Sequence, residues 1–330
     1  RLPDFSGRYT LSPFPRGSSP DASRDEGVFL LTVIFTFITF GKSIVMKRLF
    51  IIVLLTLIPV LPSCSGDDTI KVITFNIRYD NPRDSINAWP NRKDLLIKFL
   101  QEEKPDLFGL QEALWHQYAA IDSAMKGYSS AGAGRDDGQK KGEMNPLFVN
   151  NERFEIVLGN TFWLSETPGV PGTKGWGASL PRIVTWVELK EKDTGRKLFY
   201  FNTHFAHDSD SARVMSAGIL LNEVKKIAGN SRFVITGDFN MTPDSRAYSI
   251  LTGPGPEAPL IADSYKISET PPEGPVGTFN GWSDNPRSNR IDYIFVRSGM
   301  KVKSISTIVR KQGEIFISDH WPVAGEIYLK

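Results

Sequence analysis

The stretch ISDHWP at residues 317–322 is the last of six short polar motifs that decide how this chain folds. The five earlier motifs are TFNIR at 74–78, LQE at 110–112, NTHF at 202–205, GDFN at 237–240 and RIDYI at 290–294. Each motif lies at the end of a short apolar run with the pattern of a β-strand. Because strand ends form the floor of many active sites, we expect the polar residues of these motifs to converge.

The polar residues of the motifs are carboxylates, amides and imidazoles, namely Asn76, Glu112, His204, Asp238, Asn240, Asp292, Asp319 and His320. Carboxylate and amide oxygens suit a hard cation, and imidazole nitrogens can donate to anionic oxygens. Hydrolysis of a phosphoester requires neutralisation of charge, a water in line with the leaving group and a proton for the leaving oxygen. The mixture of side chains therefore favours metal-assisted hydrolysis of a phosphoester.

Taken singly, several of these residues have simpler interpretations. Asn76 has the character of a turn-forming asparagine, and Glu112 that of an acid favoured at a helix N-terminus. Asp238 and Asn240 are two residues apart, which on an extended backbone would turn both side chains to one face. A Gly-Asp turn after a buried strand explains the GDFN motif better when the motif is considered alone.

Residues 65–330 have the pattern of a single mixed α/β domain. The predicted strands are 70–77, 106–111, 147–150, 154–164, 183–189, 198–202, 232–236, 291–296, 302–309 and 323–329, and the predicted helices are 91–103, 113–125 and 211–228. Two long loops, at 166–181 and 252–281, are rich in Gly and Pro. Loops of this length are often functional, but they can equally be inert surface excursions.

Residues 46–64 have the features of a bacterial lipoprotein signal peptide. A basic pair at 47–48 precedes an apolar run, and LPSC at 61–64 resembles a lipobox. We predict cleavage before Cys64, lipidation of its thiol and export to the cell envelope. A transmembrane anchor is the alternative, but the apolar run is short for one. Residues 1–45 lack periodicity and are predicted to be a non-native or disordered leader.

Charge and cysteine content limit the possible partners of the domain. The chain has 39 Lys and Arg and 37 Asp and Glu, and residues 1–64 contribute seven and four of these. The remaining domain therefore carries a net charge of −1, which gives it no broad positive field for a polyanion. We expect that the domain forms no stable complex with nucleic acid and that it is a monomer. Cys64 is the single cysteine, so the mature domain has no disulfide, no Cys-based zinc site and no thiol nucleophile.

In this order, the six motifs resemble those of the endonuclease/exonuclease/phosphatase superfamily, which has the deoxyribonuclease I-like fold. The resemblance covers about residues 70–329, and FWLS at 162–165 further resembles bacterial members. It implies an α/β (α+β) fold, a four-layer sandwich in which two packed mixed β-sheets are flanked by helices. The alternation of predicted strands and helices in each half agrees with that architecture.

The resemblance also implies a metal site. It assigns Asn76, Glu112 and Asp319 to a bound Mg²⁺ or Mn²⁺ ion. Asn76 and Glu112 end two predicted strands that flank one helix, so we expect them to lie side by side. An amide oxygen and carboxylates suit Mg²⁺, which keeps several waters and takes few protein ligands.

Catalytic roles are implied for five further residues. By resemblance, Asp238 orients or deprotonates the attacking water, while Asn240 and His204 contact the phosphate. His320 contacts the phosphate or the water, and Asp292 is expected to accept a hydrogen bond from its other ring nitrogen, which fixes the tautomer.

Five other residues are candidates for the substrate pocket. Glu143 and Asn145 enter a predicted strand after a glycine-rich loop. Arg182 could contact phosphate, although a lone arginine is more often solvated or in an ion pair. His207 follows the NTHF motif, and Trp282 could stack on a sugar or base ring, with loop packing as the alternative.

The leading hypothesis is a Mg²⁺-dependent phosphoric ester hydrolase that acts on a small sugar- or nucleotide-like phosphomonoester or phosphodiester. A secreted nuclease of the same fold is the alternative within that class, and the neutral charge of the domain weighs against it. A non-catalytic surface lipoprotein that binds glycans through its tryptophans is the alternative from another class. A glycosidase with a carboxylate pair would leave the imidazole and amide positions without a role.

Overall fold

The structure of the protein is a computed structural model that describes residues 68–253, 259–285 and 289–330. The predicted leader at 1–45, the predicted signal peptide at 46–64 and Cys64 lie outside the described residues. Within the described ranges, no helix is both long and apolar enough to cross a membrane.

The described residues form fourteen β-strands, five α-helices and one 3-10 helix at Pro82–Asn87. The strands are β1 (Thr69–Asn76), β2 (Leu107–Gln111), β3 (Tyr128–Ala131), β4 (Leu147–Asn150), β5 (Phe154–Trp163), β6 (Ile183–Glu191), β7 (Lys197–His204), β8 (Arg232–Asp238), β9 (Ile261–Asp263), β10 (Asp292–Arg297), β11 (Val302–Thr307), β12 (Lys311–Gln312), β13 (Ile315–Phe316) and β14 (Val323–Tyr328). The helices are α1 (Trp89–Glu103), α2 (Trp115–Ala124), α3 (Asp210–Ala228), α4 (Arg246–Thr252) and α5 (Ser264–Ile267).

Twelve of these strands form two six-stranded mixed sheets. The order in the first sheet is β11-β14-β1-β2-β4-β3, and the order in the second is β5-β6-β7-β8-β10-β9. One parallel pair lies within each sheet, β1 with β2 and β7 with β8. A parallel pair needs a crossover connection, and α1 and α3 provide these two crossovers.

The longest helix, α3, has recognisable capping residues at both ends. The Ser209 hydroxyl accepts a hydrogen bond from the Ala212 N–H at 3.1 Å and caps the start of α3. Lys225 and Lys226 lie in the last turn, where a positive charge complements the helix dipole. The helix ends at Gly229, whose φ of 53° is easy for glycine.

The two sheets pack face to face with helices on their outer sides. Val72 of β1 and Val234 of β8 belong to the core between the sheets. The next residue of β1, Ile73, belongs to the outer core that the first sheet forms with α1 and α2. On the other outer side, Phe201 of β7 packs in one cluster with Leu220 of α3. Successive residues of a strand point to opposite faces, so a continuous apolar strand fills two layers.

The predicted four-layer α/β sandwich of two packed mixed sheets is confirmed, and the differences are local. The structure adds the strands β3, β9, β12 and β13, the helices α4 and α5 and the 3-10 helix, which are short and leave little periodic signal. The loop predicted at 252–281 contains β9 and α5. The helix predicted at 113–125 begins later, at Trp115, because Ala113 forms a β-bridge with Met144 and Leu114 has an extended backbone.

The two sheets approach closely just below the strand ends. A Cβ atom at Gly109 would lie 2.5 Å from Oγ1 of Thr236 and 2.6 Å from Oδ1 of Asn202, so a side chain does not fit there. Gln111 of the first sheet donates to Asn202 of the second at 2.7 Å. Asn202 in turn donates to the Leu110 carbonyl at 2.7 Å. This buried polar network fixes the position of one sheet relative to the other.

Candidate active site

The polar residues of the six motifs meet at one end of the sandwich. His204 and Asp238 are the last residues of the parallel strands β7 and β8, and they lie opposite each other. Asp292 opens β10 directly opposite Asp238. Asn76 ends β1 in the other sheet, and its Nδ2 donates to Oδ2 of Asp238 at 2.9 Å. The site therefore joins the two sheets.

His320 and Asp292 form a buried pair. Nδ1 of His320 lies 2.9 Å from Oδ2 of Asp292, as expected from the sequence. Burial alone would lower the pKa of His320, but the charge and hydrogen bond of Asp292, together with the charges of Asp238 and Asp319, raise this pKa to about 10. The ring is thus a cation at neutral pH, and its Nε2 lies 3.8 Å from Oδ2 of Asp238.

Asp238 lies between the amides and the imidazoles of the site. Its Oδ2 accepts from Asn76 and lies 3.4 Å from Nε2 of His204, and its Oδ1 accepts from the backbone N–H of Asn240 at 2.9 Å. Burial, and then the nearby charge of Asp292, raise the pKa of Asp238 to about 7. A carboxylate with a raised pKa is a stronger base, which suits removal of a proton from water.

The backbone conformation that brings Asn240 into the site differs from the extended one that was predicted. Strand β8 ends at Asp238, and Asn240 has a left-handed φ of 47°, so the two side chains do not share a face of extended backbone. The turn instead brings Nδ2 of Asn240 within 3.0 Å of Nε2 of His204. Nε2 accepts this hydrogen bond, so the proton of a neutral His204 lies on Nδ1.

His204 is a neutral ring in this site. Burial, followed by the nearby charge of Arg182, lowers the pKa of His204 well below its usual value. Its Nδ1 is buried and has no hydrogen-bond partner among the described residues. The ring therefore has one N–H free to donate.

Glu112 and Asp319 are neighbouring acids with the chemistry of a divalent cation site. Burial and the charge of Glu112 raise the pKa of Asp319, whereas the charges of His320 and Arg78 lower it, and the net direction is upward. Nε of Arg78 lies 3.7 Å from Oδ2 of Asp319 but donates to Asp84 at 3.0 Å. Carboxylate oxygens that repel each other are suitable ligands for Mg²⁺ or Mn²⁺, so these two residues fit the implied ion.

The amide of Asn76, which the resemblance assigns to the metal, contacts the carboxylates of the site through its nitrogen. Its Oδ1 accepts from the Arg78 backbone N–H at 2.9 Å. Its Nδ2, which cannot bind a cation, donates to Glu112 at 3.1 Å and to Asp238 at 2.9 Å. Asn76 thus positions the two carboxylates.

A second acidic group in the site could also hold a cation. Asp238, Asp292 and His320 bring one ligand atom each to within 4.8 Å of one another. However, Oδ2 of Asp292 is already hydrogen-bonded to His320, so a cation in this group would have to replace that contact. The pair Glu112 and Asp319 therefore suits a metal better than this group does.

Six of the eight predicted metal and catalytic residues line one cleft of about 700 Å³, whereas Asn76 and Asp292 do not. The residues on its walls are Arg78, Tyr79, Glu112, Glu143, Leu180, Arg182, His204, His207, Asp238, Asn240, Phe279, Gly281, Trp282, Ile291, Asp319 and His320. Four of the five candidates for the substrate pocket, Glu143, Arg182, His207 and Trp282, are thus at the cleft.

Asn145 is the candidate that does not line this cleft. It is buried, and its Nδ2 donates to the Ile183 carbonyl at 3.0 Å, where it links the segment before β4 to β6.

Arg182 differs from the expectation in the sequence analysis that a lone arginine is more often solvated or in an ion pair. No carboxylate lies within salt-bridge distance of Arg182 among the described residues, and its contact is with His207.

Several wall residues were not candidates from the sequence. Arg78 belongs to the TFNIR motif, so the sequence offered a reason to consider it. Tyr79 follows that motif, and its backbone N–H donates to Glu112 at 3.1 Å. Leu180 lies in a loop without periodicity. Phe279 packs edge-on against His320, with ring centroids 5.1 Å apart. A contact of this kind depends on tertiary folding and leaves no sequence pattern.

One end of this two-sheet sandwich thus collects acidic, amide and imidazole groups, a combination with the chemistry for hydrolysis of a phosphoester. The sequence profile of the Endonuclease/Exonuclease/phosphatase family matches residues 73–320. The chain therefore belongs to the endonuclease/exonuclease/phosphatase family.

Relatives agree with this assignment. A solved endonuclease/exonuclease/phosphatase from Bacteroides vulgatus is 38% identical with a TM-score of 0.75, over 79% of this chain and 99% of that chain. A mannosyl-6-phosphatase from Bacteroides thetaiotaomicron is 35% identical with a TM-score of 0.72, over 78% and 99% of the two chains. An uncharacterized protein of Acanthamoeba polyphaga mimivirus is 30% identical over 200 residues, which are 55% of this chain and 70% of that protein.

Proposed function

We propose that the protein is a metal-dependent phosphoesterase that hydrolyses a small sugar- or nucleotide-like phosphoester by in-line attack of water. The observation that carries the proposal is the position of Asp238. Its Oδ2 lies 3.4 Å from Nε2 of His204 and 3.8 Å from Nε2 of His320, at the floor of the cleft that also holds Glu112 and Asp319.

Each group of the site has a task that its protonation state permits. Asp238, with its raised pKa, accepts the proton of the attacking water. His320, held by Asp292 as a cation, donates from Nε2 to an oxygen of the phosphate. His204, neutral and with a free Nδ1–H, offers a second donor without adding charge.

Glu112 and Asp319 would hold the divalent cation. The cation, when bound, supplies positive charge beside the phosphate and the leaving oxygen. Asn76 donates to Glu112 and Asp238 at once, so it keeps one carboxylate for the metal and the other for the water. The identity of the ion, Mg²⁺ or Mn²⁺, is part of the proposal.

A small substrate fits the charge and the walls of the site. The domain from residue 65 onward is nearly neutral, which disfavours a long polyanion. Leu180, Phe279 and Trp282 give the cleft apolar surface on which a sugar or base ring can pack. The 35% identical relative from Bacteroides thetaiotaomicron, a mannosyl-6-phosphatase, supports a sugar phosphate.

Hydrolysis of a substrate panel tests the proposal, measured as released inorganic phosphate for the small monoesters and as strand cleavage on a gel for the DNA. The panel contains hexose 6-phosphates including mannose 6-phosphate, nucleoside monophosphates and a duplex DNA, each with Mg²⁺ or Mn²⁺. We expect turnover of at least one small ester, abolished by a chelator and restored by added metal. Turnover of the DNA alone would replace this proposal with the nuclease alternative.

A further inference from the structure

Arg182 is a buried cation without an acidic partner in the described part of the chain. Its side chain is only 4% exposed. Nη2 lies 2.8 Å from Nδ1 of His207, whereas Nε and Nη1 are buried and have no hydrogen-bond partner. An unpaired buried charge is strongly unfavourable, so the fold keeps Arg182 at a net cost in stability.

The residues around Arg182 do not neutralise it. Glu143 is the nearest acidic influence, but its two oxygens accept from Arg135 at 2.6 and 2.9 Å. His207 accepts the hydrogen bond of Arg182 at Nδ1, which fixes the position of the guanidinium without compensating its charge. Arg182 therefore has no carboxylate as a direct partner among the described residues, and the charges of Glu143, Asp238 and Glu112 act on it only from farther away.

The side chain of Arg182 belongs to the wall of the candidate active-site cleft. Arg182 lines the same cleft as Asp238 and comes directly before β6, whose residue Val184 pairs with Thr203 next to His204. Arg182 and His204 line this cleft together, and burial and then the charge of Arg182 lower the pKa of His204. His204 adds its own unpartnered Nδ1. Two residues of one cleft, Arg182 and His204, thus carry three buried nitrogens without a hydrogen-bond partner among the described residues.

We propose that Arg182 binds the phosphoryl group of the substrate as a dianion and so selects phosphomonoesters over phosphodiesters. This inference rests on the proposed function. A monoester at neutral pH carries about two negative charges and three non-bridging oxygens, whereas a diester carries one charge and two such oxygens. The Arg182 cation and its unpartnered N–H groups match the charge and the oxygen that distinguish the monoester.

Two substrates with the same leaving group test this selection: 4-nitrophenyl phosphate and methyl 4-nitrophenyl phosphate. We expect the parent to prefer the monoester. Arg182→Gln should reduce kcat/KM for the monoester by about 100-fold or more and for the diester by less than about 10-fold. Arg182→Lys, which keeps the charge but loses the planar fork, should fall between. Arg232→Gln, at the opposite end of β8, should leave both rates unchanged.

Thermal stabilisation gives a readout that is independent of turnover. Inorganic phosphate should raise the Tm of the parent and of Arg232→Gln, but not that of Arg182→Gln, and dimethyl phosphate should raise none of them. If Arg182→Gln does not fold, the parent protein alone still tests the inference. Equal Tm shifts of the parent with inorganic phosphate and with dimethyl phosphate would overturn it. Equal losses on both esters, or no loss on either, also overturn it. Absence of hydrolysis of both esters by the parent, with a normal Tm shift for phosphate, counts against the proposed function instead.

Discussion

Nδ1 of His320 lies 2.9 Å from Oδ2 of Asp292, and this contact joins the segment before β14 in one sheet to the start of β10 in the other. The pair keeps the His320 ring charged and turns its Nε2 toward Asp238. The contact thus sets both the direction and the protonation state of one donor of the site.

Asp292→Asn should lower kcat by about 10²–10³-fold with little change in Tm. The amide keeps the shape of the side chain but no longer holds the proton on Nδ1 of His320. Steady-state kinetics on the best ester of the panel measures the effect. The double variant Asp292→Asn/His320→Ala should be no slower than His320→Ala alone, because the two residues act as a unit. Additive losses would mean that Asp292 acts independently of His320.

Glu112→Gln and Asp319→Asn should each raise the metal concentration needed for half-maximal activity by about 10–100-fold, because each removes a charged ligand. Calorimetric titration with Mn²⁺ should show the same weakening without any substrate. Asp244→Asn, an exposed acid outside the cleft, is the matched control and should titrate like the parent. Parent-like metal binding by both cleft variants would exclude Glu112 and Asp319 as ligands.

Asn76→Ala should behave differently from the ligand variants. The amide nitrogen donates to two carboxylates, and the amide oxygen accepts from the Arg78 backbone N–H, so we expect kcat at saturating metal to fall by about 10–100-fold. If the amide oxygen is not a ligand, the half-saturating metal concentration should stay within about threefold of the parent. If excess metal fully restored the activity of Asn76→Ala, Asn76 would be a metal ligand.

Gly109→Ala should destabilise the fold by about 2–3 kcal/mol, because the added methyl group overlaps Thr236 and Asn202 where the sheets meet. Chemical denaturation monitored by tryptophan fluorescence gives the free energy of unfolding. Gly169→Ala, at an exposed position with nothing within 4 Å of the added carbon, is the control and should be nearly neutral. Equal effects of the two substitutions would show that the sheets can separate locally at little cost.

Much of the fold could be predicted because its strands carry strong local signals. In β1, Ile70, Val72, Ile73 and Phe75 are all buried, and such a run is recognisable without knowledge of its partners. Strand β9 has three residues and depends on its pairing with β10, so its own sequence says little.

The site divides in the same way. The motifs identified which residues would meet, since each lies at a strand end. The direction of the Asn76 amide, the left-handed turn at Asn240 and the pairing of Glu143 with Arg135 arise from contacts between distant segments. Local sequence does not encode such contacts. Attachment to the cell envelope through Cys64 stays a prediction of the sequence.

Hydrolysis of a small phosphoester by the parent, Asp238→Ala and His320→Ala tests the central claim most directly. With saturating Mg²⁺ or Mn²⁺, we expect measurable turnover by the parent. Each variant should lose about 10³-fold or more of this rate, because one removes the base for the water and the other a charged donor to the phosphate. Undiminished turnover by both folded variants would contradict the account.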